Sequence, residues 1–234
     1  MRIPHLSAFA AAALLALTPS LASAQFEQPV FEPGWNANVG FVSDYIFRGY
    51  SLSGGRPAIQ GGLEYQGAGG WYVGAWGSSI DDDAVGDEDV SGAKFDLSLG
   101  YRGVMGLETT YDIGVVHYTF PGSDPREAPD GTDSTELYLG LGWRSIRLMY
   151  AHDVDWESDY FEFKSSTPFG ETRAHRFDAD IGYLEPDRGD SYTHWRVGFS
   201  TRFRGVDWGL HYVDSDADGR NFDDTVVFSL NYRF

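Results

Sequence analysis

Apolar and polar residues alternate along most of this chain, and the alternation is clearest over its last nine residues, V-V-F-S-L-N-Y-R-F. One set of alternate positions is apolar or aromatic throughout: Val226, Phe228, Leu230, Tyr232 and Phe234. The positions between them carry Val227 and three polar residues. Because successive side chains of a strand point to opposite faces, a period of two predicts a β-strand here.

The same alternation recurs upstream and predicts twelve strands. The first runs from about Trp35 to Arg48, the third over Trp71–Ile80, the seventh over Ile146–His152 and the eighth over Ser158–Ser166. Two folds use such strands, a soluble sandwich and an outer-membrane barrel. An aromatic-rich strand at the C-terminus is typical of the second, and an even strand number is typical of single-chain bacterial barrels.

The links between the predicted strands alternate between short and long. After the first link, Gly49–Arg56, the short turns are Gly67–Gly70, Gly103–Met105, Arg144-Ser145, Pro168–Gly170 and Arg204-Gly205. The long links are 81–91, 119–133, 153–159, 185–190 and 214–224. A sandwich has no reason to place all its long loops at one end, whereas barrels have short periplasmic turns and long external loops. We therefore predict an all-β, antiparallel up-and-down transmembrane β-barrel over residues 35–234.

The N-terminal residues have the features of an export signal. Arg2 and His5 precede the apolar run Phe9–Leu17, and Ala22-Ser23-Ala24 offers a cleavage site before Gln25. The run is too short for a membrane helix, which needs about 20 residues. We predict a cleaved signal peptide over residues 1–24 and a periplasmic tail over 25–34. Together with the barrel, this predicts a bacterial outer-membrane protein.

Charge is distributed unevenly over the 234 residues, whose formal net charge is -18. The five long links hold 22 of the 35 acidic residues and 3 of the 17 basic ones, so the acidity belongs to one rim. Such a rim would repel phosphates, which argues against nucleic-acid binding. The chain has no cysteine, which removes disulfides and thiolate chemistry. No nucleophile motif such as G-x-S-x-G occurs, so we do not expect an enzyme.

One segment is more specific than the alternation. Residues Ser43–Ser53 read S-D-Y-I-F-R-G-Y-S-L-S, followed by Pro57-Ala-Ile-Gln60 and Gly70-Trp-Tyr-Val-Gly-Ala-Trp76. With the closing segment 192–234, they resemble the TorF-type porins, a bacterial family also catalogued as a conserved hypothetical domain of Gcw type. The resemblance covers about residues 35–234. It implies an outer-membrane porin without an established catalytic residue, and it supplies no substrate.

Two groups of candidate site residues follow from the strand faces. Charged residues opposite the apolar faces would point into the barrel, where both signs can line a water-filled lumen or form ion pairs in a plugged one. These candidates are Asp44, Glu64, Lys94, Asp96, Arg102, Glu108, Asp112, Glu136, Arg144, Arg147, Arg176, Asp178, Asp180, Arg196, Arg202, Asp207, His211 and Arg233. The expected assembly signal is Phe228, Leu230, Tyr232 and Phe234. Asp44 and Arg48 could also form a constriction or a salt bridge near the outer rim.

The acidic loops suggest weak cation sites. Asp214, Asp216 and Asp218 with Gly219 reproduce the first half of a calcium loop, D-x-D-x-D-G, although position twelve would be Thr225. Asp81–Asp83 and Asp87–Asp89 form a second acidic cluster. Either group could hold Ca²⁺ or Mg²⁺ weakly, and a merely solvated loop is the alternative.

Together these features predict a porin for passive diffusion of small hydrophilic solutes or ions, with a modest cation preference imposed by the rim. The expected partners are lipopolysaccharide, the barrel assembly machinery and the solutes themselves. The alternative is a non-conducting barrel that acts in adhesion or envelope structure through its acidic loops. Twelve strands lie between the filled interior of an eight-stranded barrel and the aqueous channel of a sixteen-stranded one.

Overall fold

The computed structural model describes residues 32–85, 90–106, 108–122 and 133–234. The predicted signal peptide over residues 1–24, nearly all of the predicted tail, and Asp87–Asp89 of the acidic cluster lie outside these described residues. Among the described residues, no helix combines the length and the apolarity needed to span a bilayer.

Fourteen strands form the described structure. They are β1 (Gly34–Val42), β2 (Ile46–Phe47), β3 (Tyr50–Ser51), β4 (Ala58–Gln66), β5 (Trp71–Ser79), β6 (Ala93–Met105), β7 (Thr109–Thr119), β8 (Ser134–Trp143), β9 (Ile146–Asp153), β10 (Ser158–Phe169), β11 (His175–Glu185), β12 (Tyr192–Phe203), β13 (Val206–Ser215) and β14 (Thr225–Arg233). One helical turn, α1 (Asp82–Val85), and a 3₁₀ turn (Arg220–Phe222) lie in links.

Twelve of these strands close into one antiparallel barrel, while β2 and β3 pair only with each other. Each barrel strand pairs with its neighbours in the chain, and β1 pairs with β14, with Val39 opposite Tyr232 and Phe41 opposite Leu230. The backbone of Phe234 also donates a hydrogen bond to the carbonyl of Ala37 (2.9 Å). The predicted closed, twelve-stranded antiparallel barrel is confirmed.

The outer surface of the barrel is an apolar belt. Large apolar side chains at alternate positions are widely exposed, for example Leu97 (59%) and Leu99 (56%) on β6. Between them, Lys94 and Asp96 point to the interior and pair with each other. A closed barrel satisfies its backbone groups between strands, so an apolar belt of this kind can face lipid.

Short turns join the strands at one end of the barrel. Several contain a residue in the left-handed region that a two-residue hairpin requires, such as Arg144 (φ 54°) and Gly205 (φ 81°).

Two predicted turns were misplaced. Because β6 continues to Met105 and β10 to Phe169, the turns lie after these residues and not at 103–105 and 168–170.

The prediction for the first strand was wrong at its C-terminal end. β1 ends at Val42 and not at Arg48, and residues 43–57 form a long inserted loop that carries the β2–β3 hairpin. In a strand that ran on to Arg48, Tyr45 and Phe47 would lie on the same outer face as Phe41, but both line the interior and Tyr45 is buried. The apolar alternation continues through Phe47, so period two could not mark the point at which the chain leaves the wall.

Hydrogen bonds within the inserted loop stabilise the path that the chain takes after the end of β1. The carboxylate of Asp44 accepts bonds from the hydroxyls of Ser51 (2.6 Å) and Ser53 (2.9 Å). The Ser53 hydroxyl in turn accepts the backbone N–H of Tyr45 (2.8 Å). At the hairpin turn, Gly49 has a φ of 83°, which a residue with a side chain rarely adopts. Asp44 is therefore a residue of the loop and not of the barrel wall.

Candidate pore and its constriction

The tip of the inserted loop crosses the whole lumen. In the closed barrel, β9 lies opposite β1, six strands away in either direction, and β8 and β10 flank it. Arg48 reaches both flanking strands. Its Nη2 atom lies 2.6 Å from the carboxylate of Glu136 on β8, and its guanidinium lies 3.8 Å from the ring centre of Tyr160 on β10. The hairpin is thus attached to the wall farthest from its origin.

Glu136 is buried and Arg48 is mostly buried, and other groups support the pair. The hydroxyl of Tyr118 donates to Glu136 (3.2 Å), and that of Tyr192 donates to the Arg48 carbonyl (3.0 Å). Burial opposes the charge on Arg48, but Glu136 and Tyr118 raise its pKa above the ordinary value. Arg48 therefore stays charged at all physiological pH values. Removing either member of such a pair would leave an uncompensated buried charge.

A second buried cation supports the other side of the hairpin. Lys94 on β6 pairs with Asp96 and lies 4.9 Å from the ring centre of Phe47 and 4.3 Å from that of Tyr118. Close by, Tyr45 packs its ring 5.4 Å from Trp76 on β5. Burial raises the pKa of the Tyr45 hydroxyl, which therefore remains neutral. Cation–π contacts and aromatic packing thus hold the hairpin on this side.

The turn of the hairpin fits closely against β12. A Cβ atom placed on Gly49 would lie 2.6 Å from the Cβ of His194, which is too close for any real side chain. The Nε2 atom of His194 and the hydroxyl of Tyr160 share a hydrogen bond (2.9 Å). Glycine is therefore favoured at this position for two reasons: it adopts the positive φ without strain, and it leaves room for the close approach to the wall.

Three cavities lie inside the barrel, two of them beside the inserted loop. The central cavity, of about 540 Å³, is lined by residues 44–49 of the inserted loop and by residues of all twelve barrel strands. An outer cavity of about 410 Å³ lies under the acidic loops, and an inner cavity of about 470 Å³ lies near the ends of β1 and β14. Asp44 borders both the outer and the central cavity, and Trp76 borders both the central and the inner one.

The structure brings many of the predicted pore residues together in these cavities. The central cavity is lined by seven of them: Asp44, Asp96, Glu136, Arg147, Asp180, Arg196 and His211. Glu64 and Arg233 line the inner cavity. Most form ion pairs with one another, such as Arg102 with Glu64 (2.5 Å) and Arg196 with Asp180 (2.6 Å). The other predicted residues on inward strand positions are Lys94, Arg102, Asp112, Arg176, Asp178, Arg202 and Asp207.

Two predicted residues lie apart from the lumen. Glu108 is in the turn before β7 and Arg144 in the turn before β9, where the guanidinium forms two bonds to the carboxylate (2.9 and 3.1 Å). The hydrogen bond from Arg144 lowers the pKa of Glu108. This pair links two neighbouring turns at the short-turn end of the barrel.

Several residues of the constriction were not among the predicted candidates. They are Tyr118, Tyr138, Tyr160, Glu162, Lys164 and His194, which all line the central cavity. Aromatic residues on the polar side of a strand could have identified the tyrosines as candidates, because the interior of such a barrel is otherwise lined by polar side chains. The partner of Arg48 could not be found in this way, since it lies 88 residues away.

The acidic loops differ in how they arrange their carboxylates. Among the described residues, Asp81, Asp82 and Asp83 are the group of three whose ligand atoms lie within 4.8 Å of one another. Asp81 is also paired with Arg56 of the inserted loop. In the other loop, Asp214 accepts from Tyr212 (3.1 Å), and Asp216 accepts the backbone N–H of Thr193 (2.6 Å). Cation binding by either loop stays a prediction.

Comparisons with known proteins agree with the fold. Residues 32–232 match a family described as "Bacterial protein of unknown function (Gcw_chp)". No curated protein matches the sequence. Among solved structures, the KdgM porin is similar with a TM-score of 0.57 at 5% identity, over 85% of this chain and 98% of that one. The NanC porin is similar with a TM-score of 0.53 at 9% identity, over 85% and 98%. Omp33, an outer membrane protein of Acinetobacter baumannii, has a TM-score of 0.51 at 8% identity, over 87% and 99%. At these identities the likeness concerns the fold.

Proposed function

Because this chain belongs to the Gcw_chp family and folds as a porin-like barrel, we propose that it is an outer-membrane porin for passive diffusion of small hydrophilic solutes or ions. The observation that carries this proposal is the inserted loop. The loop narrows the lumen without filling it, since water-sized space of about 540 Å³ remains beside the Arg48–Glu136 pair. A barrel built only for rigidity would gain stability by packing this space.

The sequence of cavities supports a route along the barrel axis. The outer and central cavities share Asp44 in their linings, and the central and inner cavities share Trp76. A solute would pass two narrow steps, one beside the loop base and one beside the Tyr45–Trp76 contact. Two such steps favour small solutes over large ones.

The rim supports a modest cation preference. The loops at the outer mouth hold most of the acidic residues of the chain, and like charges around one opening raise the local concentration of cations. This effect weakens as salt screens the carboxylates.

The apolar belt supports insertion in the outer membrane after export by the predicted signal peptide. Lipopolysaccharide would then surround the acidic loops, and the barrel assembly machinery would recognise the closing strand with Phe228, Leu230, Tyr232 and Phe234. The TorF-type assignment is part of the same proposal and is supported by the Ser43–Ser53 segment.

One observation favours the alternative, a non-conducting barrel with adhesive or structural loops. The hairpin is attached by a buried ion pair, and its neighbour Lys94 is almost fully buried. If this attachment never opens, the remaining space holds water but passes no solute.

Planar-bilayer recording separates the two functions. The purified wild-type chain should give discrete conductance steps, and a variant with residues 46–51 replaced by a short glycine linker should give larger ones. If only the shortened variant conducts, the hairpin is a plug and the structural alternative is favoured. If neither conducts while both are folded, the porin proposal is wrong.

A further inference from the structure

Four inward-facing residues on adjacent strands form a row across the wall opposite the origin of the inserted loop. The strand register places Arg147 on β9 next to Lys164 on β10, Lys164 next to Asp180 on β11, and Asp180 next to Arg196 on β12. All four line the central cavity. With about 4.8 Å between neighbouring strands, the three basic residues cover roughly 14 Å of the wall. We call these three the basic row.

The charge that the central cavity presents to solvent is basic. The side chains of Arg147, Lys164 and Arg196 are 46%, 42% and 40% exposed. The acidic side chains that line the same cavity are much less exposed: 17% for Asp96 and 9% or less for Glu136, Glu162 and Asp180. Asp44 is buried. Each of them is already held by a cation or, for Asp44, by two hydroxyls.

The basic row also has unused hydrogen-bonding capacity. The buried Nε atom of Arg196 donates to no acceptor among the described residues. Arg147 contacts Asp112 through one nitrogen, with 3.3 Å between its Nη2 and the carboxylate Oδ2. Arginine presents five donors in a planar fork, and the side chains of Arg147 and Arg196 are partly exposed, so donors other than the buried Nε of Arg196 can bind an anionic ligand from the cavity side.

We propose that the basic row is a binding site for small organic carboxylates that carry hydroxyl groups, such as sugar acids. The carboxylate would take charge-assisted hydrogen bonds from the arginines, and the hydroxyls would meet polar groups such as Gln60, Tyr138 and Ser229, which line the same cavity. The cavity volume of about 540 Å³ fits a ligand of that size. The outer acidic rim disfavours the approach of anions and so lowers the rate of their entry, more at low salt than at high salt.

This binding site rests on the proposed porin function in one respect only: the pore would bring the solute to the site. Binding is therefore measured without conduction, on the purified full chain in detergent micelles. Calorimetric titration with glucuronate is compared with titration by glucose, its uncharged counterpart, at constant ionic strength. Glucuronate should bind saturably and glucose should not.

Matched variants locate the site. Arg147→Gln with Arg196→Gln should weaken glucuronate binding roughly tenfold or more, since two charge-assisted partners are lost. Arg176→Gln with Arg202→Gln removes the same charge from inward positions outside the row and should leave binding unchanged. Asp180→Asn removes the carboxylate between the basic residues and should tighten binding. If the first variant does not fold, Asp180→Asn and Lys164→Gln still give opposite expected changes.

The outcomes separate this inference from the porin function. Equal affinity of glucuronate and glucose, or equal loss in the two double variants, would overturn the basic row as a site. Saturable binding in a protein that gives no conductance steps would keep the site and reject the porin. In a conducting protein, glucuronate should lower the single-channel conductance more than glucose does.

Discussion

Arg48 and Glu136, 88 residues apart in the chain, meet across the lumen with 2.6 Å between the guanidinium Nη2 and the carboxylate Oε2. The two side chains are only 12% and 3% exposed, and the ring of Tyr160 covers the guanidinium. The pair therefore joins the inserted loop to the far wall of the barrel.

Arg48→Gln should release the hairpin and raise the single-channel conductance. Leaving Glu136 charged, buried and unpaired should also lower the free energy of unfolding by about 3–5 kcal/mol. Bilayer recording and chemical denaturation in micelles measure the two effects. Arg204→Gln, at an exposed turn, is the control and should change neither. An unchanged conductance in Arg48→Gln would mean that the ion pair does not hold the constriction.

Gly49→Ala should disturb the hairpin more than Gly55→Ala does. Both glycines have positive φ values, 83° and 74°, so each alanine carries a similar backbone strain of roughly 1–2 kcal/mol. Only at Gly49 would the new Cβ collide with His194, whereas the space around Gly55 is open. Thermal unfolding should show a larger loss of stability for Gly49→Ala. Equal losses would show that the contact with β12 is not tight.

Phe234→Asp should impair assembly more than Asn231→Asp. Phe234 is the exposed aromatic end of the closing strand, whereas Asn231 faces the lumen opposite Gly40. A new charge on the lipid-facing side is costly, and one on the lumen side is tolerated. The amount of folded protein in outer-membrane fractions, judged by heat-modifiable migration on gels, measures the difference. Similar amounts of the two variants would remove the assembly role of the aromatic end.

The acidic rim should impose a cation preference that depends on salt. We expect a reversal potential of the cation-selective sign in KCl gradients near 0.1 M and a smaller one near 1 M, because the screening length falls from about 10 Å to about 3 Å. Neutralising Asp187, Asp190 and Asp218 to Asn should reduce the preference. Arg188→Gln, which removes a positive charge from the same rim, should increase it. Changes of the same sign in both variants would contradict the rim as the cause.

The Glu108–Arg144 pair should add stability only above acidic pH. Because Arg144 lowers the pKa of Glu108 in the folded state, the contribution is present above the unfolded pKa of about 4.3 and is lost as the pH falls through the folded value. Glu108→Gln should therefore lower the melting temperature at pH 7 and have less effect near pH 3. Glu171→Gln, at another exposed turn of the same end, serves as the control. A pH-independent difference would show that the ion pair is not its cause.

The barrel itself was predictable from residue periodicity. Leu97, Leu99 and Tyr101 alternate with polar residues as a wall strand requires, and the alternation of short and long links fixed the antiparallel order. Strand ends were less certain, as at Met105 and Phe169, because an alternating pattern can continue into a turn.

The constriction could not be predicted, for two physical reasons. Tyr45 and Phe47 keep the outward phase of the strand before them, and only the fold shows that they turn into the lumen. The partners of Arg48 on β8, β10 and β12 are distant in sequence, and an ion pair across a barrel leaves no local pattern. The exposure that distinguishes the basic row from its buried carboxylates is likewise a property of the closed barrel.

The position of the hairpin near the start of the chain has a consequence for the order of folding. Its contacts at Glu136, Tyr160 and Tyr192 belong to strands made long after it, and Ser43 bonds to the backbone of Phe228, 185 residues away. Such distant contacts are slow to form, since the chain between them must first be ordered. The hairpin can therefore reach its final position only after β8, β10 and β12 have joined the sheet. A chain arrested before that point would lack every contact that holds Arg48 across the lumen.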